Sequence, residues 1–160
     1  MKLRVLWFGR PAASPYEEQV ELYRRRVARC WPAEDIPLKP AGGGRSSDPR
    51  RALSEEARIV LSHVPDRWRL VALDEGGDEL ASEELAALLA RAEDGGCPGM
   101  VFTVGSDLGL GREVLEASWR RLSLSRMTLP HLLARLVLWE QLFRSSDIRT
   151  GGAYHRRSVQ

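Results

Sequence analysis

The chain has 160 residues, 43% hydrophobic and 29% charged, with a formal net charge of +2. These values suit one globular domain with a sizeable core and argue against a disordered or fibrous chain. No apolar run reaches the ~18 residues of a membrane span, and of the 24 Lys plus Arg only Lys2 and Lys39 are lysines.

The arginine bias admits an RNA partner, because a guanidinium forks onto phosphate and stacks on bases; a GC-rich coding sequence produces the same bias. The opening "MKLRVLWFG" runs straight into a strand, predicted over 3–8 and ended by Gly9, and lacks the long apolar stretch of a secretory leader. Residues 15–30 place Val20, Tyr23 and Val27 at helical spacing behind Pro15 and an acidic first turn, which predicts a helix. An edge strand is predicted over 35–41 and a loop over 42–50, where Ser47 or Asp48 can cap a helix over 49–63. "WRLVALD", 68–74, is a second buried strand. A helix over 82–94 is expected to start on a Ser82 cap with Glu84 nearby. "GMVFTVG", 99–105, is a third buried strand. A helix over 112–119, a short strand within 121–127 and a helix over 131–146 complete the chain.

Strands alternating with helices predict an α/β domain, a parallel-type sheet with helices on both faces. No linker or repeat interrupts the chain, so residues 1–160 are read as one domain. In such sheets ligands sit beyond the carboxyl ends of the strands. Those ends are Gly9, Leu73–Asp74 and Gly105–Ser106, together with the "SLSRMTLP" loop. Cys30 and Cys97 lie far apart without metal-type spacing and read as reduced thiols of a cytoplasmic protein. His63, His131 and His155 are too scattered to suggest a metal site.

Four stretches invite chemistry. "VGSDLGLG", 104–111, is a Gly-rich turn after a buried strand; it is neither a P-loop nor a dinucleotide fingerprint, and a plain tight turn explains it as well as a ligand loop. "LDEGGD", 73–78, is either a hairpin-like turn or a ligand-facing strand end. In "SLSRMTLPH", 123–131, Pro130 suits a helix entrance and the Ser and Thr residues can cap, while free backbone N–H and C=O groups could read the edge of a flat heterocycle. "GGAYHRR", 151–157, reads as a solvated tail, or as a group in which Tyr154 stacks on a base and Arg156 and Arg157 meet phosphate.

Taken together, "LSLSRMTLPHLLARLVLWEQLFR" and "IRTGGAYHR" resemble the C-terminal signature of the small bacterial SPOUT methyltransferases. More narrowly, they are similar to the ribosomal RNA large subunit methyltransferase H family, which methylates N3 of a pseudouridine in 23S ribosomal RNA. The resemblance spans the chain, through the opening strand, "PAG" at 40–42, "LVALD" and the Gly-rich turn. It implies a single-domain α/β knot whose C-terminal trefoil, from about residue 100, forms the cofactor site. It also implies S-adenosyl-L-methionine as cofactor, a homodimer, ribosomal RNA within the assembled ribosome as substrate, and no metal or membrane.

Residue by residue, the resemblance places Leu73 against the cofactor's adenosine and Gly105 at the end of the third strand. A branched side chain at Gly105 would then occupy the adenosine's space. Ser125, Arg126, Met127, Thr128, Leu129 and Pro130 match the cofactor loop. Arg144, Tyr154, His155 and Arg156 match the family's substrate-facing groups, with His155 as acceptor or orienting group for the N3 proton. Arg144 and Arg156 would hold phosphate or stabilise the developing imide anion. The chain departs from the pattern at Val104, at a longer turn around Leu108, at Gly77–Asp78 and at Arg10, which marks a divergent member. The altered turn also motivates an alternative, a knotted RNA- or ribosome-binding homologue that has lost methyl transfer.

Overall fold

The computed structural model describes residues 1–41 and 48–154. Five strands form one parallel sheet: β1 (Lys2–Phe8), β2 (Ala33–Leu38), β3 (Arg69–Glu79), β4 (Gly99–Val104) and β5 (Arg120–Ser123), in the order β2-β1-β4-β3-β5. The helices are α1 (Glu17–Val27), α2 (Pro49–Ser62), α3 (Ser82–Asp94), α4 (Arg112–Ala117) and α5 (His131–Arg149).

The period of two in β1 decides which helix goes where. Leu3, Val5 and Trp7 point to the face covered by α1, α3 and α5, while Leu6 and Phe8 point to the face covered by α2 and α4. The central strand β4 is buried at all six positions, as a strand covered on both faces must be.

Several boundaries differ from those expected. A short 3-10 turn at Pro11–Ala13 precedes α1, which is confined to Glu17–Val27. The edge strand β2 lies earlier, at Ala33–Leu38. Asp48 caps α2, accepting from Arg50 N at 3.0 Å; Ser47 lies outside the described residues. Ser82 does not cap α3. The cap position is Ala81, whose N–H donates to Glu84 Oε2 at 2.7 Å, and Ser82 Oγ instead donates to Gln141 Oε1 at 2.6 Å, tying α3 to α5.

The largest difference is β3. It does not stop at Asp74 but resumes pairing with β5 after a break, so that Leu73 and Asp78 both register with Leu122. Residues 74–77 bulge out of the ladder between them. Gly77 permits this, since a Cβ there would lie 2.7 Å from the Arg121 and Leu122 backbone.

The last helix extends to Arg149 and is less uniformly apolar than its sequence suggests. Its buried side carries Arg135, Ser145 and Ser146 beside Leu138, Trp139 and Leu142. Leu133 and Val137 stay half-buried and outside both core clusters.

Candidate cofactor site at the carboxyl ends of the strands

Because β4, β3 and β5 are neighbours running in one direction, their carboxyl ends meet. The chain leaving each of them lines one cavity of about 690 Å³, a size suited to a nucleoside-containing ligand. Leu73 lines it from β3 with Asp74 and Glu75 from the bulge that follows, Val104 from the end of β4 with Gly105 to Leu110 from the turn after it, and Leu122 to Ser125 from the end of β5 and the chain beyond. Met127, Thr128, Leu129 and Pro130 close the ring, with His131 and Ala134 from the first turn of α5.

The walls are held by short local contacts. The Gly-rich stretch is a tight turn, with Gly109 N donating to Ser106 O at 2.9 Å. Gly105 packs so closely on it that a Cβ would lie 2.5 Å from the Gly109 carbonyl carbon. The stretch is therefore both a tight turn and a wall of the cavity. In the loop after β5, Ser123 Oγ donates to Ser125 O at 3.0 Å, and Ser125 Oγ accepts from Met127 N at 3.0 Å. No side chain caps α5, whose cap position is Pro130. Across the mouth, His131 Nδ1 lies 2.8 Å from Asp107 Oδ1.

The structure thus brings together Leu73, Gly105, Ser125, Met127, Thr128, Leu129 and Pro130. Arg126 belongs to the same loop but points outward, with its Nε 3.7 Å from Glu79. Gly9, at the end of β1, takes no part in the lining. The sequence names Asp74 as a strand end on the ligand side and places Glu75, Asp107 and His131 within stretches that invite chemistry, but it assigns none of the four to the cofactor. The first two are carried in by the bulge, which the "GGD" step could have signalled. The charged lining is acidic apart from His131, which suits a cationic ligand.

Arg144 and Tyr154 form a second cluster. Arg144 Nη2 donates to Glu140 Oε1 at 2.6 Å and its guanidinium lies 4.9 Å from the Tyr154 ring centre. Tyr154 stacks at a tilt on Phe143, 4.6 Å between centres, and its hydroxyl donates to Glu140 Oε1 at 3.2 Å. Its N–H donates to Asp147 Oδ2 at 2.8 Å. Burial first, then the Tyr23 hydroxyl and the Glu140 carboxylate, push the Tyr154 phenol up to about 12. Within one chain this cluster is not at the cavity: Arg144 is thirteen helical residues from His131, about 20 Å along the axis. His155 and Arg156 lie outside the described residues.

The fold has solved counterparts. A protein from Neisseria gonorrhoeae assigned to a methylase family superposes with a TM-score of 0.50 at 14% identity, covering 91% of this chain and 83% of that one. By sequence, the chain is 43% identical over 154 residues to ribosomal RNA large subunit methyltransferase H of Solidesulfovibrio magneticus, covering 96% of this chain and 97% of that protein. It is 36% identical over 159 residues to the enzyme of the same name from Methylocella silvestris, covering 98% and 99%. The family described as "Predicted SPOUT methyltransferase" matches residues 1–155. With a parallel α/β domain whose three strand ends converge on one cavity, the chain belongs to the SPOUT methyltransferase family, alongside the ribosomal RNA large subunit methyltransferase H proteins.

Proposed function

We propose that this protein transfers a methyl group from S-adenosyl-L-methionine to N3 of a pseudouridine in 23S ribosomal RNA. The observation that carries the reading is the convergence of Leu73, Gly105 and the 125–130 loop on a single cavity at the strand ends. The residues fit the cofactor. The cavity is large enough, its turn approaches by bare backbone at Gly105, and its loop is braced before any ligand arrives. Asp74, Glu75 and Asp107 suit a sulfonium cation better than the neutral thioether product. Bound, the cofactor supplies an electrophilic methyl group. The chain's own part is to align N3 with it, exclude water and take the N3 proton.

His155 is the group assigned to that proton, with Arg144 and Arg156 facing phosphate or the imide anion and Tyr154 stacking on a base. The distance of the Arg144–Tyr154 cluster from its own cavity favours a homodimer in which the tail of one subunit completes the site of the other. Leu133 and Val137, half-buried on α5 and outside both cores, suit burial against a second copy. The proposal includes the C-terminal trefoil knot, a cytoplasmic location and action on the assembled ribosome. Among the described residues no helix is long and apolar enough to cross a membrane.

The test is mass spectrometry of ribosomal RNA from cells with and without the protein, paired with calorimetric titration of S-adenosyl-L-methionine. Loss of one N3-methylated pseudouridine on deletion, with saturable cofactor binding, is the expected result. Unchanged RNA together with no cofactor binding would favour the RNA-binding homologue without methyl transfer.

A further inference from the structure

Glu56 on α2 is only 3% exposed, and among the described residues no cation forms an ion pair with it. A carboxylate this deep is costly unless its oxygens are hydrogen-bonded. Both are, and to different parts of the chain. Oε1 accepts from Ala41 N at 3.1 Å, in the connection after β2, and Oε2 accepts from Ser106 Oγ at 2.8 Å, in the turn after β4. Ser106 Oγ in turn accepts from Leu108 N at 3.3 Å. Ser106 lines the cofactor cavity and Glu56 does not.

The same helix braces the chain beyond the turn. A Cβ at Gly111 would lie 2.7 Å from Leu53 O, and Ser54 Oγ donates to Glu113 Oε1 at 2.8 Å. Glu56 is thus one of three neighbouring points at which α2 grips residues 106–113, and the one that grips the cavity wall itself.

We propose that Glu56 is a positioning residue for cofactor binding: acting through Ser106, it fixes the backbone of the turn at Gly105–Gly109 in the shape that receives the cofactor. It does not touch the ligand. Its effect falls on cofactor affinity and not on the chemical step, because Glu56 stands behind the wall that receives the cofactor and does not itself line the cavity. The inference rests on the methyltransferase reading above.

The experiment is a double-mutant cycle on the full chain with Glu56→Leu, Ser106→Ala and the pair, read by calorimetric titration of S-adenosyl-L-methionine and by kcat and KM on ribosomes. Leucine removes both acceptors, whereas glutamine could keep the link by accepting from Ala41 N and donating to Ser106 Oγ. Each single variant should weaken cofactor binding about tenfold, the scale of a lost hydrogen bond to a charged group. The pair should be no weaker than the worse single variant, and in Glu56→Leu, whose side chain does not reach the cavity, kcat at saturating cofactor should stay within about twofold of wild type. Multiplicative losses in the pair, or wild-type affinity in Glu56→Leu, would overturn the proposal. Should Glu56→Leu fail to fold, Ser106→Ala alone decides, because it leaves α2 and its carboxylate in place: wild-type affinity there removes the link. If wild-type protein takes up no S-adenosyl-L-methionine, the methyltransferase reading falls and this inference with it. If wild type binds and the variants bind equally, this inference alone falls.

Discussion

Asp35 and Arg135, a hundred residues apart, face each other in the core, with Arg135 Nη2 donating to Asp35 Oδ2 at 2.6 Å. The same guanidinium donates to Glu17 at 2.8 Å and lies 3.8 Å from the centre of the Trp7 ring. Both indole N–H groups beside it, Trp7 and Trp139, donate to Asp35 at 2.9 and 2.6 Å. One carboxylate on the edge strand β2 therefore anchors α5 and β1 at once. Arg135→Ala would leave the nearly buried Asp35 with its two indole donors but without its ion-pair partner, and should destabilise the fold by about 3–5 kcal/mol. Denaturant midpoints at constant slope check this. A loss under ~1 kcal/mol would show that the cluster contributes little.

This cluster also marks where sequence reading stops. Alternating strands and helices, and the loop that walls the cavity, follow from local periodicity and from motif spacing. Arg135 is local noise by that measure: one cation inside "HLLARLVLW", whose partners come from α1 and β2. Glu56 left a fainter trace. It occupies an apolar stripe with Ala52 and Val60, all buried on α2, where a solvent-facing glutamate does not belong. The extension of β3 past Asp74 was hidden because two glycines read as an ending, whereas Gly77 here allows one backbone to press on another. Ser82 shows the converse failure. A good capping residue took a tertiary hydrogen bond to Gln141, and a neighbouring alanine took the cap position.

The Gly-rich turn supports a paired substitution. At Gly105 the obstacle to a side chain is the chain's own Gly109 backbone, 2.5 Å from the new Cβ, and not only the adenosine space the family resemblance suggested. Gly105→Ala should therefore distort the turn, cost about 1–3 kcal/mol of stability as an overpacked site does, and abolish measurable S-adenosyl-L-methionine binding. Gly109→Ala meets nothing within 4 Å but sits at φ +83°. It should cost only about 1 kcal/mol and retain cofactor binding. Equal effects on calorimetric affinity would contradict this account of the turn.

Docking of the tail should depend on pH in the alkaline range. Tyr154 titrates near 10 when free and is pushed up to about 12 in the fold. A raised acid pKa means that the neutral phenol is the form the fold favours. Its contribution is complete below pH 10 and is lost as pH rises from about 10 to about 12. Phenolate absorbance should show a late titration step that Tyr154→Phe removes. The same variant loses the hydrogen bond to Glu140 but keeps the Phe143 contact, so the melting temperature near neutral pH should fall by only a few degrees, as for a net loss of about 1 kcal/mol.

The separation between the cavity and the Arg144–Tyr154 cluster makes the subunit that supplies the tail an experimental question. Gly105→Ala keeps a normal tail on a defective cavity, and deletion of residues 154–160 keeps a normal cavity without a tail. Each should be inactive as a homodimer. If tails serve the partner's cavity, mixing the two by unfolding and refolding creates heterodimers with one complete site. About half of random dimers are then mixed, each with one of two sites working, so roughly a quarter of wild-type activity should return. If each tail serves its own cavity, a heterodimer contains no complete site and the mixture stays inactive. Methyl incorporation into ribosomal RNA, measured with light scattering to establish the dimer, separates the two. Activity in the truncated homodimer would remove the tail from the mechanism altogether and leave the chemistry to the cavity wall.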